Sequence, residues 1–138
     1  ILLARKGVHL TVSTPEKHGP RPDVIDKAKE ICERNGSILE FVHDPKVAVK
    51  GADIVYTDVW ISMGEEESGK DSSVFVPYQI NSELLSYAKQ TVKVMHCLPA
   101  YRGKEITDEV MDSERSIVFD QAENRLHVQK AALLHLLS

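Results

Sequence analysis

Short runs of β-branched and other apolar residues alternate along the chain with segments whose apolar positions recur every three or four residues. That alternation predicts strand and helix in turn. Val8-His9-Leu10-Thr11-Val12-Ser13 reads as a strand. Pro15, Gly19, Pro20 and Pro22 mark the next stretch as loop. Val24, Ile25, Ala28, Ile31 and Cys32 share a helical face between Asp23 and Asn35, and Gly36 ends that helix. Residues 38–42 predict a second strand. Asp44-Pro45 then opens a short helix toward Val49, with proline where its missing N–H costs nothing. Residues 53–57 predict a third strand and residues 92–97 a fourth. Between them Asn81 caps a helix carrying Leu84, Leu85 and Ala88. Thr107 is the expected cap of a short helix with Val110 and Met111. Residues 116–119 predict a fifth strand, followed by a helix from about Ala122 to Leu137.

No hairpin turn signal interrupts this order. Strand–helix–strand units with right-handed crossovers imply a parallel sheet covered on both faces. The expected class is α/β, a three-layer α/β/α arrangement around a mostly parallel, Rossmann-like sheet. The polar, glycine-containing stretch from Asp58 to Pro77 exceeds an ordinary connection in such folds and is a candidate functional loop.

Composition narrows the function classes. The chain has 138 residues, 42 % hydrophobic and 28 % charged, with a formal net charge of −4, an ordinary balance for one globular domain. Both signs of charge are interspersed and no basic block occurs, which argues against nucleic acid as a partner. No apolar run approaches the roughly 20 residues of a membrane span. Cys32 and Cys97 fit neither a metal-ligand spacing nor a disulfide framework, so a reducing compartment such as the cytoplasm is expected. The histidines also lack ligand spacing, and no metal is expected. Ile1-Leu2-Leu3-Ala4-Arg5-Lys6-Gly7 reads like the last turns of a helix closed by glycine, so the expected start lies upstream.

Ligands of open parallel sheets bind beyond the carboxyl ends of the strands. Three polar segments fall at that edge: 58–64, 96–99 and 120–125. Asp58 ends an apolar strand and suits a substrate amine, although Asp often caps a turn in the same place. Ser62-Met63-Gly64 lets backbone N–H groups approach a ligand and can hinge, yet composition alone also fits a surface loop, with Met63 as core filler. His96 at a strand end can donate to a developing oxyanion. The competing reading is a hydrogen-bonded core histidine beside a buried Cys97. Adjacent strand residues point to opposite faces, which argues against a Cys–His nucleophile pair. Arg125 is expected in the first turn of the last helix, at the positive end of its dipole, where an arginine is unhelpful unless an anion or polarised carbonyl is near.

Taken together, Asp58-Val59-Trp60-Ile61-Ser62-Met63-Gly64, His96-Cys97-Leu98-Pro99 and Glu123-Asn124-Arg125 resemble the C-terminal-domain signatures of the ornithine carbamoyltransferases, within the aspartate/ornithine carbamoyltransferase family. The resemblance runs over nearly the whole chain. It implies carbamoyl transfer from carbamoyl phosphate to the δ-amine of L-ornithine, giving L-citrulline and phosphate without a cofactor. It further implies that Asp58, Ser62 and Met63 hold the amino-acid end of ornithine, and that Cys97 and the Leu98 carbonyl lie near the attacking amine. His96 and Arg125 would bind the carbonyl oxygen of carbamoyl phosphate.

The family's Ser-x-Arg-Thr phosphate motif does not occur in these residues, and the resemblance implies that the first strand of the sheet precedes Ile1. Residues 1–138 are therefore expected to be the ornithine-binding domain alone, without the carbamoyl phosphate-binding domain and inactive by itself. A homotrimer, a place in arginine biosynthesis or the urea cycle, and a cytoplasmic setting (the mitochondrial matrix for a eukaryotic source) follow from the resemblance. Two other readings remain at this stage: a transcarbamoylase for putrescine or an acylated ornithine, and a non-catalytic α/β binding module.

Overall fold

The structure is a computed structural model that describes residues 1–61 and 71–138. Two compact units make up the chain, Ile1–Ala48 and Val49–Ser138. Each carries a two-stranded parallel sheet, so the class is α/β as expected.

In the first unit, α1 (Leu2–Arg5) leads to β1 (Leu10–Ser13), α2 (Pro22–Asn35), β2 (Leu39–Val42) and α3 (Pro45–Ala48). Leu10 pairs with Leu39 and Ser13 with Val42, so β1, α2 and β2 form one βαβ unit. Helix α2 starts at proline, which is preset for the first turn, and buries Ala28 and Cys32. It stops at Gly36, whose φ of 67° is a left-handed value that glycine adopts without strain. The Asn35 side-chain amide donates to the Ala4 carbonyl at 2.9 Å, tying the end of α2 to α1.

In the second unit, β3 (Ile54–Thr57) is followed by a 3-10 turn (Ser73–Tyr78), α4 (Ser82–Leu85), β4 (Lys93–His96), α5 (Asp108–Met111) and α6 (Val118–Leu137). Asn81 caps α4 as expected, its Oδ1 accepting from the Leu84 N–H at 2.8 Å. Thr107 occupies the cap position of α5, but its side chain makes no cap bond. The core joins Ile80, Leu85, Val92, Val94, Ile106, Val110, Met111 and Val118. Burial of this apolar surface holds the carboxyl ends of β3 and β4 in place.

The expected fifth strand is not formed. Ser116 makes a single parallel bridge to Val94, and α6 already begins at Val118. Ile117-Val118-Phe119 is a strand-like triplet, yet Val118 is 0 % exposed. Packing of its side chain as the first turn of a helix outweighs its β propensity. Among the described residues no helix is long and apolar enough to cross a membrane.

Candidate functional site

The parallel register pairs Thr57 with His96 as the last residues of β3 and β4. The next residues, Asp58 and Cys97, therefore emerge side by side beyond the strand ends. Strand alternation puts Val55 and Thr57 on one face with Val94 and His96, and turns Tyr56, Asp58 and Cys97 to the other. The two side chains meet there: the Cys97 thiol donates to Asp58 Oδ1 at 2.9 Å.

Asp58 Oδ1 also accepts the Val59 N–H at 2.7 Å. That bond reaches only the next residue, not the N–H two residues on that a turn cap would take. The second oxygen makes no hydrogen bond to a described residue and Asp58 is exposed, which leaves a carboxylate edge able to take an ammonium group.

Burial raises the Cys97 thiol above a cysteine's ordinary value, and the Asp58 carboxylate adds to that rise, while the Tyr56 hydroxyl pulls the other way. Tyr56 is raised in turn, first by burial and then by Cys97. The thiol is accordingly a protonated donor at neutral pH, not a nucleophile. Asp58→Asn removes the negative charge that favours the neutral thiol, so the pH at which Cys97 becomes reactive is expected to fall. The pH dependence of alkylation at Cys97, followed by mass spectrometry, reads this directly. An unchanged or higher midpoint would break the assigned coupling.

His96 faces the core and is 1 % exposed. Its Nδ1 accepts the Leu98 N–H at 2.9 Å and its Nε2 lies 3.1 Å from Oε1 of Glu105, which is 0 % exposed. A ring nitrogen that accepts a backbone N–H carries no proton, so the imidazole hydrogen sits on Nε2 and is given to Glu105. Both nitrogens are spent inside the protein. The direct contact with a substrate oxygen expected of His96 has no nitrogen left to make it, and the core-histidine reading describes its bonding. Leu98 itself has a left-handed φ of 58°, a costly value for a residue with a side chain.

Arg125 stands on α6, exposed and without a hydrogen bond or ion pair to another described residue. Because α6 begins at Val118, Arg125 lies beyond the first turn, and the dipole argument for it lapses. Helical register supplies a different one. Gln121, one turn earlier on the same face, accepts the His96 backbone N–H at 3.1 Å and reaches the Tyr56 hydroxyl at 3.5 Å. Gln121 thereby docks α6 against the ends of β3 and β4, with Arg125 next along that face. Glu123 and Asn124 turn to their own helix, toward His127 and the Asp120 carbonyl.

Trp60 stacks on Phe75 with ring centroids 6.2 Å apart, joining two residues of the Asp58–Pro77 stretch. Ser62 and Met63 lie outside the described residues. Sequence reasoning missed Tyr56, Gln121 and Glu105. The first two carry a signal in hindsight, Tyr56 two residues from Asp58 on a strand and Gln121 four from Arg125 on a helix. In the first unit a cleft of about 330 Å³ opens beside Thr14, Lys17 and His43; it includes no residue of the three polar segments.

Comparison with known proteins shows the family. The family described as aspartate/ornithine carbamoyltransferase, Asp/Orn binding domain, matches residues 1–136. An ornithine carbamoyltransferase of Archaeoglobus fulgidus is 57 % identical over 135 residues, 97 % of this chain and 43 % of its own length. The structure of ornithine carbamoyltransferase from Pyrococcus furiosus aligns with a TM-score of 0.88 and 48 % identity, covering 94 % of this chain and 42 % of that one. A structure of N-acetyl-L-ornithine transcarbamylase aligns with a TM-score of 0.82 and 29 % identity, covering 96 % of this chain and 42 % of that one. The chain thus spans about two-fifths of the length of the relatives it matches.

Proposed function

Given that the chain belongs to the aspartate/ornithine carbamoyltransferase family, as its Asp/Orn-binding domain, we propose that it supplies the ornithine-binding half of an enzyme that carbamoylates L-ornithine. The 2.9 Å contact between Asp58 and Cys97 at adjacent strand ends is the observation that carries this reading. It puts an anionic acceptor and a neutral thiol within reach of one small amine.

In the reaction the δ-nitrogen of ornithine bonds to the carbonyl carbon of carbamoyl phosphate. The bond from that carbon to the phosphate oxygen then breaks, and the amine proton leaves. An amine with a pKa near 10 must become neutral before it attacks. On this reading Asp58 takes the α-ammonium, with Ser62 and Met63 at the amino-acid end. Cys97 and the Leu98 carbonyl lie beside the δ-amine, where the carbonyl accepts its N–H. Arg125 faces the carbonyl oxygen, which gains negative charge in the tetrahedral transition state, and a fixed cation there stabilises the transition state more than the ground state. His96 acts by holding Leu98. Carbamoyl phosphate is bound mainly by the part of the relatives' length that these residues do not span, and the assembly is a trimer. No metal or organic cofactor takes part.

An acylated ornithine is the second reading, favoured by the likeness to N-acetyl-L-ornithine transcarbamylase. The higher identity to ornithine carbamoyltransferases weighs against it. A binding module without catalysis is disfavoured by the presence of Asp58, Cys97 and Arg125 together. The test joins this chain to the rest of the Archaeoglobus fulgidus sequence and follows citrulline formation, with putrescine and N-acetyl-L-ornithine as competitors. Turnover is expected in the joined protein, with ornithine preferred. Citrulline made by the 138-residue chain alone, or preference for either competitor, would contradict the proposal.

A further inference from the structure

We propose that Glu105 is a positioning residue of the transfer site, acting through the His96 imidazole to hold the Leu98 peptide where the substrate amine is received. The proposal rests on the reading of the site given above and assigns a role to a residue outside all three polar segments.

Glu105 is 0 % exposed and directly precedes Ile106, a member of the aliphatic core. Burying a carboxylate there is costly unless its oxygens are hydrogen-bonded. An apolar residue would satisfy packing at less cost, so packing alone does not account for a carboxylate. Its Oε1 accepts two N–H groups, the Tyr101 backbone at 2.6 Å and His96 Nε2 at 3.1 Å, while its buried Oε2 has no hydrogen-bond partner among the described residues, so the cost of burial is only partly offset. The opposite ring nitrogen accepts the Leu98 N–H at 2.9 Å. One carboxylate therefore fixes one imidazole, which fixes one peptide.

That peptide needs fixing. Leu98 has φ 58°, and a residue with a side chain keeps such a value only when its surroundings over-determine it. Cys97 and the Leu98 carbonyl flank the held N–H. Their direction depends on the ring not turning. Without Glu105 the imidazole can rotate about its side-chain bonds, Leu98 can relax toward an ordinary φ, and both groups that meet the amine lose their alignment. The same carboxylate holds the following turn through Tyr101, so strand end and loop are pinned at one point.

Reach and charge are separable by substitution in the full-length enzyme. Glu105→Gln keeps the reach and an oxygen that accepts both N–H groups, and is expected to leave the KM for ornithine within about threefold of the parent. Glu105→Asp keeps the charge but falls one methylene short. Its KM for ornithine is expected to rise about tenfold, the effect of one lost hydrogen bond, with the KM for carbamoyl phosphate unchanged. A purely structural role would lower the active fraction, and so the apparent kcat, while leaving both KM values alone. The second readout is independent of activity: the ¹⁵N spectrum of His96 is expected to show the Nε2–H tautomer in the parent and in Glu105→Gln, and to change in Glu105→Asp.

A parent-like ornithine KM in Glu105→Asp overturns the proposal, as does a Gln variant impaired like the Asp variant, or an Nδ1–H tautomer in the parent. If Glu105→Asp does not fold, the Gln variant and the parent spectrum still decide. The expected tautomer in a protein that carbamoylates no amine would overturn the reading of the site instead, and this proposal with it.

Discussion

Replacing Arg125 by alanine in the full-length enzyme is expected to lower kcat about 10²–10³-fold, the usual loss when one preorganised donor to a developing oxyanion is removed. Arg125 is exposed and makes no hydrogen bond or ion pair to another described residue. Its loss should therefore change folding stability by no more than about 0.5 kcal/mol, which separates a chemical effect from unfolding. The KM for ornithine should move little, because the guanidinium acts on the other substrate's carbonyl as charge builds there. Arg125→Lys keeps the charge and loses the planar fork of donors, so an intermediate kcat is expected. Steady-state citrulline formation, paired with thermal unfolding of each variant, makes the test. An Arg125→Ala enzyme with parent-like kcat would remove this residue from the mechanism.

Asp58→Ala is expected to raise the KM for ornithine roughly 10- to 150-fold. The range converts the loss of a hydrogen bond to a charged group, about 1.5–3 kcal/mol. Two contacts disappear together, the acceptor for the substrate ammonium and the partner of the Cys97 thiol at 2.9 Å. The carboxylate stands exposed at a strand end, so the core around Ile106 and Val94 should be undisturbed. Asp58→Asn keeps an oxygen acceptor without the charge and should fall between the two. Initial rates against ornithine at saturating carbamoyl phosphate give the values. Equal KM in parent and Asp58→Ala would show that the ammonium is held elsewhere.

Much of this site was legible in the chain because it sits where secondary structure ends. Alternating strand and helix patterns are local, and they put Asp58 just after the third predicted strand and Cys97 at the end of the fourth. Register then brings them together. Asn81 was legible for the same reason, since a cap acts on residues three positions away.

What failed depends on contacts far apart in sequence. Ile117-Val118-Phe119 has strand composition, and only burial of Val118 within the core shows that it opens a helix. That earlier start removed the dipole argument for Arg125 and replaced it with the register to Gln121. His96 carried two readings that composition could not separate. Its answer lay in Glu105, a charged residue in a loop with no periodicity to mark it as buried. Thr107 looked like a cap by residue type, yet its side chain makes no cap bond.

A crystal structure of the full-length protein with L-ornithine and an unreactive carbamoyl phosphate analogue reads out the ligand position itself. The ammonium of ornithine should lie within hydrogen-bond distance of Asp58, with the δ-amine beside Cys97 and the Leu98 carbonyl, and the Arg125 guanidinium on the carbamoyl oxygen. Ornithine bound away from the ends of β3 and β4, with Asp58 and Cys97 still paired only to each other, would contradict the account.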